Sequence, residues 1–174
     1  TTIDPPGTIR HVKEMGVEIL QPEISFFDLV AKKGYPSRHK RFCCAYLKEY
    51  KVLDKVIIGV RREESPKRAE RYKEPTICRA YNKTDRVEQI LPILDWTLQD
   101  VTEYLLDRKI KCAPVYYDAD GNFHPERRLG CIGCPLSSKN RINELKQYPI
   151  MVRALIRSCR KFMQDHPNSK IHYW

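Results

Sequence analysis

Four cysteines in two pairs are the residues of this chain best equipped for chemistry. Cys43 and Cys44 stand side by side in KRFCCAYLKE, and Cys131 and Cys134 form the C-x-x-C of RRLGCIGCPL. Adjacent cysteines scarcely bridge each other, because one trans peptide holds their Cα atoms about 3.8 Å apart, below the usual disulfide range. They pack separately, pair elsewhere, or hold something together. The chain has seven cysteines (43, 44, 78, 112, 131, 134 and 159), and no signal-peptide pattern opens the stretch. A reducing compartment is therefore expected, where such pairs are read first as metal or redox sites.

Four thiolates suit zinc or an iron–sulfur cluster. Structural zinc sites usually draw their pairs from C-x(2–4)-C spacing, and adjacent cysteines diverge too much to sit easily on one tetrahedral ion. A [4Fe–4S] cube presents separate iron corners, so neighbours can each reach a different one. Spacing alone ranks iron–sulfur first, zinc second and unligated core thiols third. Cys78, Cys112 and Cys159 read as packed thiols. Arg38, Lys40, Arg41 and Lys48 surround the C-C pair with positive charge, and in a helix Cys44 and Lys48, four apart, share a face.

A second segment has the composition of an anion site. DKVIIGV is a β-branched run that reads as a buried strand, and it meets glycine and then RREES. In an α/β sheet, ligands are held at the C-terminal ends of strands. Gly59 lets backbone approach a ligand, Arg61 and Arg62 offer paired donors to an oxyanion, and Ser65 adds a hydroxyl. The competing reading of the arginine pair is surface charge; the strand before it favours ligand contact. Arg68 and Arg71 are weaker candidates.

These segments need elements to position them. DPPGTIRHVKEMG reads as a helix with Asp4 as N-cap and a stop at Gly16, VEIL as a short strand, and ISFFDLVAKKG as a helix from Ser25 to Gly34. RFCCAYLKEYK reads as a helix carrying the C-C pair. ILPILDWTLQDVTEYLLDRKI joins an extended apolar piece to a helix capped by Thr97, with Asp100 at its third position. APVYYDADGNFHP reads as a loop or hairpin, and SSKNRINELKQYP and IMVRALIRSCRKFMQDHP as two helices ended by proline. The expectation is one α/β domain over residues 1–174, with its N-terminal part outside this stretch.

Composition sets bounds on function. Hydrophobic residues make up 41% and charged residues 31% of 174, which is globular and neither disordered nor fibrous. No apolar run approaches the ~20 residues of a membrane span, so a soluble, cytoplasmic protein is expected. The net charge of +10 favours anionic partners, whether nucleic acid, nucleotide phosphates or sulfate esters; a lysine-rich solvated face would give the same number.

KRFCCAYLKE, VIIGVRREESPKRAERY, ILPILDWTLQDVTEYLLDRKIKCAPVYYD and RLGCIGCPL run in the order seen in the phosphoadenosine-phosphosulfate (PAPS) reductase family. The chain resembles that family, close to the adenylyl-sulfate (APS) reductases, from TTIDPP to CIGCPL. The resemblance implies a PP-loop adenine-nucleotide α-hydrolase-like, Rossmann-like fold: a largely parallel twisted sheet with flanking helices. It also implies a [4Fe–4S] cluster on Cys43, Cys44, Cys131 and Cys134. Lys48 matches a lysine lying between cluster and substrate, a catalytic assignment, and Gly59, Arg61, Arg62 and Ser65 match the G-x-R-x-x-[EQ]-S segment over the substrate's phosphate or sulfate. The family's S-G-G-K-D-S loop belongs upstream of TTIDPP, and the assimilatory enzymes' E-C-G-[LI]-H cysteine segment does not occur in this stretch, which closes on SKIHYW. Asp95, Trp96 and Asp100 match a family motif and read as capping and packing residues.

The implied activity is reduction of a sulfonucleotide to sulfite by a thiol reductant such as thioredoxin. Two alternatives stay open. One is a PP-loop iron–sulfur enzyme that uses ATP to install sulfur in DNA or tRNA, in keeping with the basic charge. The other is a four-cysteine zinc module that binds nucleic acid or protein.

Overall fold

In a computed structural model of the protein, the described residues are 3–48, 53–80, 86–127, 129–137 and 141–169; the side chains of 77–80 and 86 are outside that description. They form seven α-helices and three strands, an α/β arrangement as expected. The chain divides into two compact units. The first comprises Thr1–Tyr50, Ala113–Val115 and Arg128–Trp174, and the second Lys51–Cys112 and Tyr116–Arg127.

The first unit is helical. α1 (Thr8–Glu14) begins at Gly7, whose left-handed φ of 84° turns the chain into the helix; Asp4, expected as the cap, lies three residues too early. VEIL forms no strand: it joins no sheet, and Val17 and Leu20 stay 53% and 46% exposed. α2 (Phe26–Lys33) is as read. The Ser25 side chain accepts from the Asp28 N–H, Gly34 ends the helix, and Phe26, Leu29 and Val30 recur at i, i+3, i+4 to give its buried face. α3 (Phe42–Leu47) is short and carries the C-C pair, with Lys48 as its C-cap; the expected continuation through Lys51 lies outside the described residues.

α6 (Arg141–Gln147) and α7 (Pro149–Asp165) follow the C-x-x-C turn, with Pro149 in the first turn of α7, where its missing N–H costs nothing. One hydrophobic core joins these pieces: Ile3, Phe26, Leu29, Val30, Leu47, Ile132 and Leu155. It draws on the N-terminal segment, α2, α3, the C-x-x-C turn and α7. A groove of about 780 Å³ in this unit is lined by apolar residues of α6 and α7, with Tyr35 and Cys159 among them.

The second unit holds the sheet, in the order β1 (Lys55–Ile57), β3 (Arg86–Ile90), β2 (Thr76–Ala80). β1 and β3 are parallel, with Lys55 opposite Glu88 and Ile57 opposite Ile90; β2 and β3 are antiparallel. The sheet is therefore small and mixed, with one pairing of each kind. β2, β3 and α4 (Pro66–Arg71) were not foreseen from sequence, and the apolar ILPIL piece forms turns after β3 rather than a strand. α5 (Leu98–Asp107) has the expected start: Thr97 and Asp100 make a reciprocal capping box. Val60, Leu91 and Leu94 form the core beneath the strand ends. A bridge between Tyr117 and Phe123 closes the DADGN hairpin. Among the described residues no helix is long and apolar enough to cross a membrane.

Candidate functional site

All four paired cysteines fall in the first unit. Cys43 and Cys131 pack against its hydrophobic core from opposite ends of the sequence, because Leu47 and Ile132, beside them in the chain, are both core residues. Each of the four is half-buried and carries a free thiol. The Cys43 thiol is pushed up to about 11, first by burial and then by the sulfurs of Cys44 and Cys134, whose negative charge it would face on ionising.

Lys48 stands among the same sulfurs. Its backbone N–H donates to the Cys44 carbonyl at 2.9 Å. Partial loss of hydration pulls its pKa down, but a hydrogen bond and charge attraction to Cys131, with Cys44 and Asp4 adding to it, leave the ammonium above its ordinary value. Lys48 is thus a cation held against thiols of both pairs. Among the described residues no three His, Cys, Asp or Glu side chains converge as the ligands of a single ion do. Cys43 and Cys131, one from each pair, pack on the same core, and Cys43 also faces the sulfurs of Cys44 and Cys134.

The C-x-x-C turn is held on several sides. The Ile132 N–H donates to the Ile3 carbonyl at 2.9 Å, the Cys134 N–H to the Cys131 carbonyl at 3.1 Å, and the Gly133 N–H to Glu144 Oε2 at 3.0 Å. The Tyr35 hydroxyl donates to the Gly133 carbonyl. Gly133 has φ 69°, and a Cβ there would lie 2.9 Å from Leu145 Cδ2 and 3.1 Å from the Tyr35 oxygen. Only glycine meets both demands. The Tyr35 phenol is raised to about 12 by burial; Arg141 opposes the shift, and the sulfurs of Cys134, Cys159 and Cys43 add to it. Sequence reading missed Tyr35 and Glu144, since nothing local marks a tyrosine that acts 98 residues away.

Cys112 and Cys159, read as packed thiols, are half-buried, and burial raises both. The side chain of Cys78 lies outside the described residues.

Gly59, Arg61, Arg62 and Ser65 fall in the second unit, after β1. The fold itself does not demand glycine at 59: an added Cβ would make one ordinary contact, 3.8 Å from Ile93. Arg61 is bonded to Glu63 at 2.6 Å and lies 3.7 Å from Glu64. Arg62 donates to the carbonyls of Tyr72 and Lys73 and pairs with Asp95. Its fork is largely committed to the protein's own acceptors. Ser65 caps α4, accepting from the Arg68 N–H at 3.3 Å; as a hydroxyl it keeps a proton to donate. Asp95, which reads from sequence as a structural residue, pairs with Arg62. Glu63, not singled out, caps α5 from a distance through the Leu98 N–H at 2.6 Å.

Comparison with known proteins places this geometry in context. A profile of the phosphoadenosine phosphosulfate reductase domain matches residues 8–137. An uncharacterized 37.8 kDa protein from the gpa 5′ region of Escherichia phage 186 is 32% identical over 144 residues, covering 74% of this chain and 40% of its own. The adenosine 5′-phosphosulfate reductase of Oceanobacillus iheyensis is 28% identical over 131 residues, covering 69% of this chain and 49% of its own. The chain thus spans less than half the length of these relatives.

Proposed function

The chain belongs to the phosphoadenosine phosphosulfate reductase domain family, and from that we propose that it is the cluster-bearing part of a sulfonucleotide reductase. Cys43, Cys44, Cys131 and Cys134 would hold a [4Fe–4S] cluster. The observation that carries this reading is the gathering of both cysteine pairs on one core, with Lys48 against thiols of each. Four thiols with a neighbouring cation form a soft, anionic donor set, which suits iron–sulfur ligation.

When bound, such a cluster supplies a fixed anionic centre that orders its surroundings and tunes the field at the sulfate end of the substrate. Lys48 would offset the negative charge of the thiolates. Arg61 and Ser65, with Arg62 bracing the loop behind them, form the segment that would meet the substrate's oxyanions, and Gly59 leaves room for its close approach. The overall reaction takes two electrons from two thiols of a reductant such as thioredoxin. The S–O bond to the nucleotide phosphate breaks, the sulfur leaves as sulfite, the nucleotide leaves with the bridging oxygen on its 5′-phosphate, and the thiols release their two protons and end as a disulfide.

The test is anaerobic purification of the chain and of Cys43→Ala, with iron, acid-labile sulfide and zinc measured in each. About four iron and four sulfide per chain, lost in the variant, is the expected result. Zinc without sulfide would replace this reading with the four-cysteine zinc module. A second reading, sulfur installation in nucleic acid with ATP, draws on the net charge of +10; strongly salt-dependent binding of DNA or RNA by the iron-bearing chain would favour it.

A further inference from the structure

We propose that Tyr35 is the positioning residue of the Cys131–Cys134 turn, its hydroxyl gripping the Gly133 carbonyl so that the peptide carrying Cys134 cannot rotate. The inference rests on the cluster reading for its consequence but not for its geometry. The peptide between Gly133 and Cys134 is held at both ends: Tyr35 takes its oxygen, and the Cys131 carbonyl takes its N–H at 3.1 Å. The preceding peptide is held by Glu144 at 3.0 Å, and Ile132 by Ile3 at 2.9 Å. Every N–H from residue 132 to 134 is therefore committed inside the protein.

A free amide beside a cysteine ligand tends to turn toward sulfur and shift a cluster's potential upward. Here Tyr35 prevents that turn. The close fit is reciprocal, since a Cβ on Gly133 would lie 3.1 Å from the Tyr35 oxygen and 2.9 Å from Leu145. Tyr35 itself is fixed by the core, its ring edge-on to Phe26 at 6.3 Å between centroids. The loop after α2 thus reads the state of a turn that lies 98 residues further along the chain.

Tyr35→Phe removes the hydroxyl and keeps the ring. Parent, Tyr35→Phe and the control Tyr46→Phe are purified under nitrogen and treated with iodoacetamide, and Cys131 and Cys134 labelling is followed by peptide mass spectrometry. Tyr35→Phe is expected to label several-fold faster at Cys134, with Cys112 unchanged. Iron and sulfide are measured on the same samples. Where the parent holds them, Tyr35→Phe keeps its iron but shows a shifted electron paramagnetic resonance spectrum after reduction and a higher midpoint potential. Equal labelling rates in protein stripped of iron, or an unchanged spectrum and potential in iron-bearing protein, overturn the assignment. A parent without iron sinks the cluster reading alone, and the labelling rates still decide the role of Tyr35. Should Tyr35→Phe fail to fold, Glu144→Gln, which weakens the adjacent grip, must accelerate Cys134 labelling for the turn to be held as described.

Discussion

Arg62 pairs with Asp95 across 33 residues of sequence while its other guanidinium nitrogens donate to the carbonyls of Tyr72 and Lys73. One side chain therefore joins the loop after β1, the end of α4 and the turn before α5. We expect Arg62→Ala to cost about 1–2 kcal/mol, a charged hydrogen-bonding group lost from partly exposed acceptors. Asp95→Asn should cost well under half of that, because the carboxylate is 61% exposed. Urea unfolding of the second unit, followed by Trp96 fluorescence in a Trp174→Phe background, checks both. Equal losses would mean that the ion pair, not the carbonyl contacts, holds the loop.

Gly59 separates stability from binding. An added methyl there meets only Ile93, at ordinary contact distance, and the backbone is not left-handed. Gly59→Ala should thus be neutral or stabilise by up to about 1 kcal/mol, through the unfolded chain. We predict that the same substitution weakens binding of adenylyl-sulfate at least several-fold in the full protein, measured by calorimetry. Unchanged affinity would remove Gly59 from the substrate site.

Gly133→Ala should behave in the opposite way. The left-handed φ and the crowding by Leu145 and Tyr35 both oppose a side chain. A loss of about 1–3 kcal/mol is expected in the first unit. Adding Leu145→Val should restore part of it, and a melt showing no recovery would locate the strain in the backbone alone.

Lys48→Met tests the cation beside the thiols. With the proposed cluster in place, it should leave iron content near the parent's and lower the midpoint potential by some tens of millivolts, since the reduced, more negative state loses a nearby positive charge. Spectroelectrochemical titration reads this directly. A rise in potential, or complete loss of iron, would contradict an electrostatic role.

The DADGN hairpin carries a pH-dependent brace. His124 Nε2 lies 3.0 Å from Asp118 and Nδ1 lies 3.1 Å from Glu126, so both ring nitrogens need protons to donate. Hydrogen bonds to Asp118 and then Glu126 raise His124, with Arg127 opposing. Its contribution is complete below the unfolded value of roughly 6.5 and disappears as pH rises through the raised folded value. Asp118 is held well below the carboxylate range by His124 and Asn122, and Glu126 is lowered by its own backbone N–H and then by His124. Their share is present above roughly pH 4.5 and disappears as pH falls through the depressed values. The protection factor of the Asn122 amide, its exchange corrected for the intrinsic pH dependence, should therefore be highest between these limits. His124→Gln should abolish the alkaline limb and weaken the acid one, leaving the part that Asn122 gives Asp118.

What the sequence by itself determined was local or carried by motif. Ser25 and Thr97 announce their helices because a capping side chain acts three residues away, and the paired cysteines announce soft-ligand chemistry by type and spacing. The family was legible from segment order, since the same residues recur in the same sequence. The VEIL strand failed because alternation cannot supply a partner strand. β2 and β3 went unseen because their pairing joins residues that share no local pattern.

Only the tertiary structure decided which residues hold the candidate sites in shape. Arg62 reads from sequence as a free oxyanion donor, yet the fold commits most of its fork to Tyr72, Lys73 and Asp95. Tyr35 reads as an ordinary aromatic after a helix, yet it reaches the Gly133 carbonyl. Both outcomes depend on hydrogen bonds between distant segments. Such bonds are fixed by how the core within each unit packs, which no window of sequence contains.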